Sequence, residues 1–197
     1  MKVLIISGSP KSEGLIHSLV QAAFETAKGA GAETEILKLT DHKIEQCRLC
    51  KDGWGSCRTE HVCVSSDEFN SLQTKFEESD AFVYITPVYW GDMTEIYKVF
   101  FDKLRRCQAT KRWNEDENIK SFLTDKPSII AASAGGSGNG IINTFTQIER
   151  MIGHMAGDGM PKDKKGIFDY IAVNRWNKDY KIESLKAAVK QLVNNLK

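Results

Sequence analysis

No apolar run in the 197-residue chain approaches the roughly 20 residues of a bilayer span. The charge is balanced as well. Lys and Arg number 27 against 26 Asp and Glu, a formal net charge of +1. The densest basic run, KDKK at 162–165, is too short for a nucleic-acid footprint and reads as a solvated loop. Neither a membrane nor a nucleic acid is therefore an expected partner. There is no internal repeat, low-complexity tract or linker, so residues 1–197 are expected to form one domain. No Ser-His-Asp set and no carboxylate pair poised for hydrolysis stands out. The opening MKVLIISGSP puts a single Lys ahead of a short apolar run with no small-residue cleavage site. It reads as a buried strand rather than a signal peptide, which makes the cytoplasm the expected compartment. There, clustered cysteines serve as thiols, metal ligands or redox groups more often than as disulfides.

What is present is an alternation of two periods. KVLIIS (2–7), ETEILKL (33–39), AFVYIT (81–86), KPSIIAAS (126–133) and FDYIAVN (168–174) read as strands. Helical spacing links Leu15, Leu19, Ala22, Ala23 and Ala27, and then Phe69, Leu72 and Phe76 behind a cap at Ser66 or Asp67. It continues through EIYKVFFDKLRRC, then Ile142, Phe145, Ile148 and Met155, and a C-terminal amphipathic helix. Strands alternating with helices imply a parallel sheet covered on both faces. Two segments, 40–66 and 109–125, are too long for plain connections.

Ligands of open parallel sheets bind beyond the carboxyl ends of the strands. Three unusual loops fall there. In SGSPKSEGLI, Ser9, Ser12 and the amides of Gly14, Leu15 and Ile16 are placed to converge at a helix N-terminus that favours an anion, beside Lys11. A plain capped turn is the alternative reading. In TPVYWGD, Pro87 bends the chain away, and Tyr89 and Trp90 stand next to Gly91. Two aromatics suit a flat ring system, although one of them is expected to cover the core instead. In SAGGSGNG, four glycines within residues 134–140 suit a backbone pressed against a ligand. An anion site, an aromatic shelf and a glycine-rich wall together describe a pocket for a phosphorylated planar molecule.

These loops resemble those of the flavodoxin-like NADPH-dependent FMN reductase and iron-sulfur flavoprotein families. The likeness runs from residue 3 to about 155, and TPVYWGDMTEIYKVFFDKLRR is its most specific part. The resemblance implies an α/β, doubly wound, five-stranded parallel sheet of order 2-1-3-4-5. It implies FMN as cofactor, NAD(P)H as co-substrate and a quinone, nitroaromatic, flavin or protein as electron acceptor. The alternative is an electron-transfer flavoprotein without a small-molecule substrate. Carried over by position, Ser9, Lys11, Ser12, Gly14, Leu15 and Ile16 hold the phosphate. Pro87, Val88, Tyr89, Trp90 and Gly91, with Ser133, Ala134, Gly135 and Gly136, border the flavin ring. Many members have Asn-Thr or Asn-Ser where this chain has Leu15-Ile16, so here the phosphate depends on backbone amides and the two serines. The flavin does the redox chemistry, and no catalytic side chain is implied. A homodimer or homotetramer is expected from the same resemblance, and segments 47–63 and 109–125 are expected to frame the open flavin face.

Cys47, Cys50, Cys57 and Cys63 are spaced C-x2-C-x6-C-x5-C. The iron-sulfur flavoproteins carry a similar motif at this place, close to C-x2-C-x2-C-x5-C, and KDGWGS widens the middle gap here. Three readings stay open: a metal-free shaped loop in which Trp54 packs on a neighbour, a four-thiolate [4Fe-4S] cluster, and a zinc site. Cys107 reads as a buried apolar residue. His42 and His61 flank the loop and are expected to face solvent, as is the Arg105-Arg106 pair.

Overall fold

The computed structural model describes residues 1–114, 116, 118–135, 138–156, 167–168 and 178–197, leaving out the side chains of Trp113, Ile167 and Phe168. Among them β1 (Lys2–Ser7), β2 (Glu33–Lys38), β3 (Ala81–Pro87) and β4 (Ser128–Ser133) form four full-length parallel strands in the order β2-β1-β3-β4. A two-residue ladder, β5 (Ile167–Phe168), runs parallel beside β4. The sheet is thus four full strands plus this short fifth place. The strand expected at 168–174 meets it at Phe168, and residues 169–174 lie outside the described residues.

The helices are α1 (Leu15–Gly29), a single turn α2 (Cys50–Gly53), α3 (Phe69–Glu77), α4 (Glu95–Gln108), α5 (Ile141–Ala156) and α6 (Lys178–Asn195). Strand alternation sorts the core into two unlike layers. Val3, Ile5, Val83 and Ile85 face α1 and α6, where Ala23, Ala27 and Val189 keep the layer thin. Leu4, Ile6, Phe82 and Tyr84 face α3, α4 and α5, where the layer is aromatic. The Phe76 ring lies 5.2 Å from Phe82, 5.4 Å from Phe100 and 5.6 Å from Phe122, centroid to centroid. All seven residues of β3 are buried, as a central strand between two layers requires.

Two expectations need correcting. In α5 the buried stripe begins at Ile141 and continues through Phe145, Ile148, Ile152 and Met155, while Ile142 is 61% exposed. The 3.6-residue period admits either isoleucine, and contact with the third loop decides it. The described residues 121–125 do not frame the carboxyl edge of the sheet. They lead into the amino end of β4, where Thr124 Oγ1 donates to Ala156 O at 3.1 Å and Lys126 Nζ donates to Glu77 O at 3.1 Å. Phe122 and Leu123 are buried there, so this connection closes the bottom of the aromatic layer.

Candidate functional site

Ser9, behind β1, is buried and its Oγ accepts the Lys11 amide at 3.3 Å. Its carbonyl accepts Thr40 Oγ1 at 3.3 Å. Gly14 caps α1 at φ +86° with no side-chain hydrogen bond, and the first helical bond runs from Ser18 N to Gly14 O. The amides of Leu15, Ile16 and His17 are therefore left without a helical acceptor. A Cβ on Gly14 would meet nothing within 4 Å, so this corner opens onto free space. Ile16 is buried beneath α1 and Leu15 packs partly against the same layer. Only their amides are offered to the loop. Lys11 and Ser12 are exposed and share a hollow of about 290 Å³ with His17, Lys38 and His42.

The second loop is a two-residue hairpin. Tyr89 and Asp92 exchange both backbone hydrogen bonds, at 2.9 and 3.1 Å. Trp90 and Gly91 at its corner have φ of +53° and +83°, the pattern of a type I′ turn. Trp90 pays a strained backbone for that corner, while Gly91 does not. Neither aromatic covers the core, contrary to the expectation for one of them. Tyr89 is 46% exposed, and Trp90 is as exposed as a free side chain.

Sequence reading missed the residue that locks the first loop to the second. Tyr97, wholly buried in α4, donates from its hydroxyl to Ile6 O at 2.6 Å and accepts from Ile85 N at 3.1 Å. It bridges β1 and β3 at the point where strand order reverses. Burial holds its phenol well above the ordinary tyrosine range. A Cβ on Gly8 would lie 2.0 Å from the Tyr97 ring, so only glycine fits there, and Thr94 Oγ1 donates to Gly8 O at 3.0 Å. The available signal was a Tyr on the apolar stripe of α4, one turn before Phe101.

The third loop is tied to the second by Val88 N donating to Ser133 O at 2.9 Å and Asn143 Nδ2 donating to Gly91 O at 3.0 Å. A Cβ on Gly140 would lie 2.2 Å from Gly91 Cα. This glycine serves loop-to-loop contact rather than a ligand, which corrects part of the sequence argument. Gly135 does face free space, with nothing within 4 Å of an added Cβ. Ser133 and Ala134 are buried, Ala134 in a small apolar patch with Ala132, Ile141 and Val88. Gly136 lies outside the described residues.

The cysteine loop lies along α4. Cys47, Cys50, Cys57 and Cys63 line one pocket together with Lys103 and Cys107, and the void between them is about 30 Å³, room for about one water. Among the described residues, no three His, Cys, Asp or Glu side chains are arranged to hold a single metal ion. The thiols stand around the walls instead. That donor set, with a buried cation beside it, fits a thiolate-bound cluster in chemistry. A group larger than the void enters only with movement of the loop. Leu49, Lys51 and His61 all have positive φ, so the loop carries backbone strain of about 1 kcal/mol at each.

Side chains missed by the sequence reading hold this loop. Lys103 Nζ lies 2.5 Å from Asp67 Oδ2, with both side chains at most 1% exposed. Asp67 also accepts the amides of Glu45 at 2.6 Å and Phe69 at 3.3 Å. Burial works to raise the Asp67 carboxyl, but Lys103 and the two amides outweigh it and hold it below the usual carboxylate range. A lysine on the apolar stripe between Phe100 and Cys107 was the signal. Arg106 is not a solvated face residue: it donates to Gly53 O, and its guanidinium lies 4.9 Å from the Trp54 ring. Trp54 does pack on a neighbour, namely α4. His61 does not face solvent either. Its Nδ1 lies 3.1 Å from Thr110 Oγ1, and burial, then Lys111, lowers its pKa. His42 pairs with Glu68 at 3.0 Å. Cys107 is buried as expected, and burial pushes its thiol up to about 12. An open groove of about 750 Å³ joins the two regions, walled by Cys47, Leu49, Tyr89, Trp90, Met93 and Arg106.

The sequence profile of NADPH-dependent FMN reductase matches residues 1–157. An iron-sulfur flavoprotein of Methanosarcina thermophila is 31% identical over 143 residues, 71% of this chain and 66% of that one. Another, of Methanocaldococcus jannaschii, is 33% identical over 163 residues, covering 82% of this chain and 78% of its own length. A solved NAD(P)H:quinone oxidoreductase from Methanothermobacter marburgensis superposes with TM-score 0.63 at 17% identity, over 100% of this chain and 96% of that one, a likeness of fold. No helix among the described residues is long and apolar enough to cross a membrane. The chain belongs to the flavodoxin-like family of NADPH-dependent FMN reductases and iron-sulfur flavoproteins.

Proposed function

We propose that the chain is an FMN-dependent oxidoreductase that takes hydride from NAD(P)H and passes electrons to a small quinone, nitroaromatic or flavin, or to a protein acceptor. The observation that carries this reading is the meeting of three loops at the carboxyl edge of β1, β3 and β4. Uncapped helix amides, an outward aromatic hairpin and the open side of Gly135 each belong to one of these loops, which supports the reading. Ser9, Lys11, Ser12 and the amides of Gly14, Leu15 and Ile16 would hold the phosphate, as hydrogen-bond donors at the positive end of α1. Pro87 to Gly91 and Ser133 to Gly136 would border the ring. FMN, when bound, supplies the hydride-accepting and electron-releasing chemistry. The chain's own part is to orient the ring and leave one face open, with Tyr89 and Trp90 excluding water from its rim. No side chain has to move a proton. By family likeness the working form would be a homodimer or homotetramer.

A second reading follows from the thiols around one pocket. Cys47, Cys50, Cys57 and Cys63 would hold an iron-sulfur cluster, making the protein an electron-transfer flavoprotein. The test of the first reading is FMN titration by flavin fluorescence, then anaerobic mixing with NADPH and with NADH. Stoichiometric binding and rapid bleaching of the yellow band are expected. Absence of FMN binding would sink both readings. Bound FMN that neither nucleotide reduces would leave the electron carrier.

A further inference from the structure

The solvent face of α4 carries a charge pattern that is its own complement when reversed. Glu95, Lys98, Asp102 and Arg105 recur at steps of three and four, so they form one stripe. All four line the open groove between the hairpin and the cysteine loop. Their order is acid, base, acid, base. Glu95 and Arg105 stand at equal steps either side of position 100, and so do Lys98 and Asp102. Lys98 and Asp102 already pair within the helix at 2.6 Å. Among the described residues, Glu95 and Arg105 have no ion-pair partner. The helical rise sets them about 15 Å apart, too far to pair inside one chain. An acid in the first turn and a base in the last also suit the helix dipole, which accounts for their signs. The dipole does not account for the apolar surface beside them. Val99 is only half-buried next to position 100, and Leu49, across the groove, is 57% exposed.

We propose that this face of α4 is the docking surface for a second copy of the chain, the two α4 helices packing antiparallel about a two-fold axis at position 100. A two-fold contact uses the same patch twice, so the patch must complement itself. Here Glu95 of one protomer meets Arg105 of the partner subunit, and its Arg105 meets the partner's Glu95. Lys98 and Asp102 join the same pair of the partner in a four-charge cluster, and the two Val99 side chains lie beside the axis. The end charges also fix the direction. A parallel pair would set acid on acid and base on base, which costs affinity. The contact goes beyond the reading above and does not depend on bound FMN. Its consequence for the candidate site is an outer wall that one chain cannot supply. The partner subunit's Arg105 comes to the Glu95 end of the groove, close to the hairpin, and Tyr89 and Trp90 stay at the mouth.

The experiment weighs the full chain by sedimentation equilibrium from micromolar concentrations upward, with and without FMN. A dimer or tetramer is expected for the wild type. Glu95→Arg alone sets two arginines against each other at each end of the contact, and Arg105→Glu alone sets two carboxylates. Either reversal should halve the mass of the assembly, or raise its Kd at least about tenfold, with circular dichroism unchanged. Mixed in equal amounts, the two variants should regain the wild-type mass, because every end then joins opposite charges. The double variant Glu95→Arg with Arg105→Glu should regain it as well. Should a reversal unfold the chain, the neutral Glu95→Gln and Arg105→Gln take its place, each raising Kd severalfold. A wild-type monomer overturns the proposal and leaves the groove to a small acceptor or another protein. An assembly that no substitution weakens places the contact elsewhere and overturns it, as does a mixture that fails to re-associate. FMN binding is read separately, so the flavin reading stands or falls on its own test.

Discussion

At the carboxyl edge of the sheet, neutral side chains and close-set glycines bind backbone to backbone, and aromatic side chains stand in solvent. At the thiol pocket, side chains make the joints and charge is buried. The first region is built from Gly8, Gly91 and Gly140, close strand ends and one tyrosine hydroxyl. The second is held by the Lys103–Asp67 pair and by Arg106 against Trp54. An edge built from backbone keeps its amides available to a ligand that arrives from outside. A pocket closed by side chains instead fixes the charge around whatever it encloses. The two regions should therefore fail differently.

The largest effect should come from breaking the buried pair. Lys103→Met leaves Asp67 as an unpaired buried carboxylate, and urea denaturation should show a loss of about 3–5 kcal/mol. The pair also has a pH signature. Asp67 is depressed in the folded state, so its contribution is present above the unfolded carboxylate value near 3.9 and is lost as pH falls through the lower folded value. Asp67→Asn should flatten the acid limb of the stability curve. An unchanged limb would contradict the assignment.

Next, Gly140→Ala drives a methyl into Gly91 at a positive φ and should cost about 2 kcal/mol or more. It should weaken FMN binding while leaving thiol accessibility untouched. Tyr97→Phe removes the bridge between Ile6 and Ile85 and should cost about 1–2 kcal/mol in thermal unfolding. Smallest for stability is Trp90→Ala, within about 0.5 kcal/mol because the ring is wholly exposed. FMN affinity should nevertheless fall about tenfold, near 1.4 kcal/mol, if the ring meets the flavin. Equal affinity would remove Trp90 from the site.

The contrast also explains what could be read without coordinates. Strands such as KVLIIS and AFVYIT declare themselves because burial on both faces demands continuous apolar runs. The phosphate loop and TPVYWGD were legible because their chemistry is local: a turn, a helix start, a hairpin corner. Tyr97 and Lys103 were not, because their meaning lies in partners far along the chain. Tyr97 reaches back to Ile6, and Lys103 to Asp67. An amphipathic pattern treats both as stripe positions, and only packing reveals that one is a strand bridge and the other a buried cation. The choice between Ile141 and Ile142, and the placing of 121–125 at the opposite end, were equally matters of long-range contact.

The cysteine segment is tied at its neck. Lys43 N donates to Glu68 Oε2 at 2.6 Å, Glu68 N returns to Lys43 O at 3.1 Å, and Glu45 N reaches Asp67. Everything between is an excursion from one closed stem. Closure entropy grows only with the logarithm of length, so the few extra residues of KDGWGS add only about 0.2 kcal/mol. Such a stem lets the excursion be lengthened, rewritten or emptied over evolutionary time while the sheet keeps its fold. The thiol spacing can then drift between fixed ends, as long as the contacts of Gly53 and Cys57 with Arg106 and Thr110 are kept.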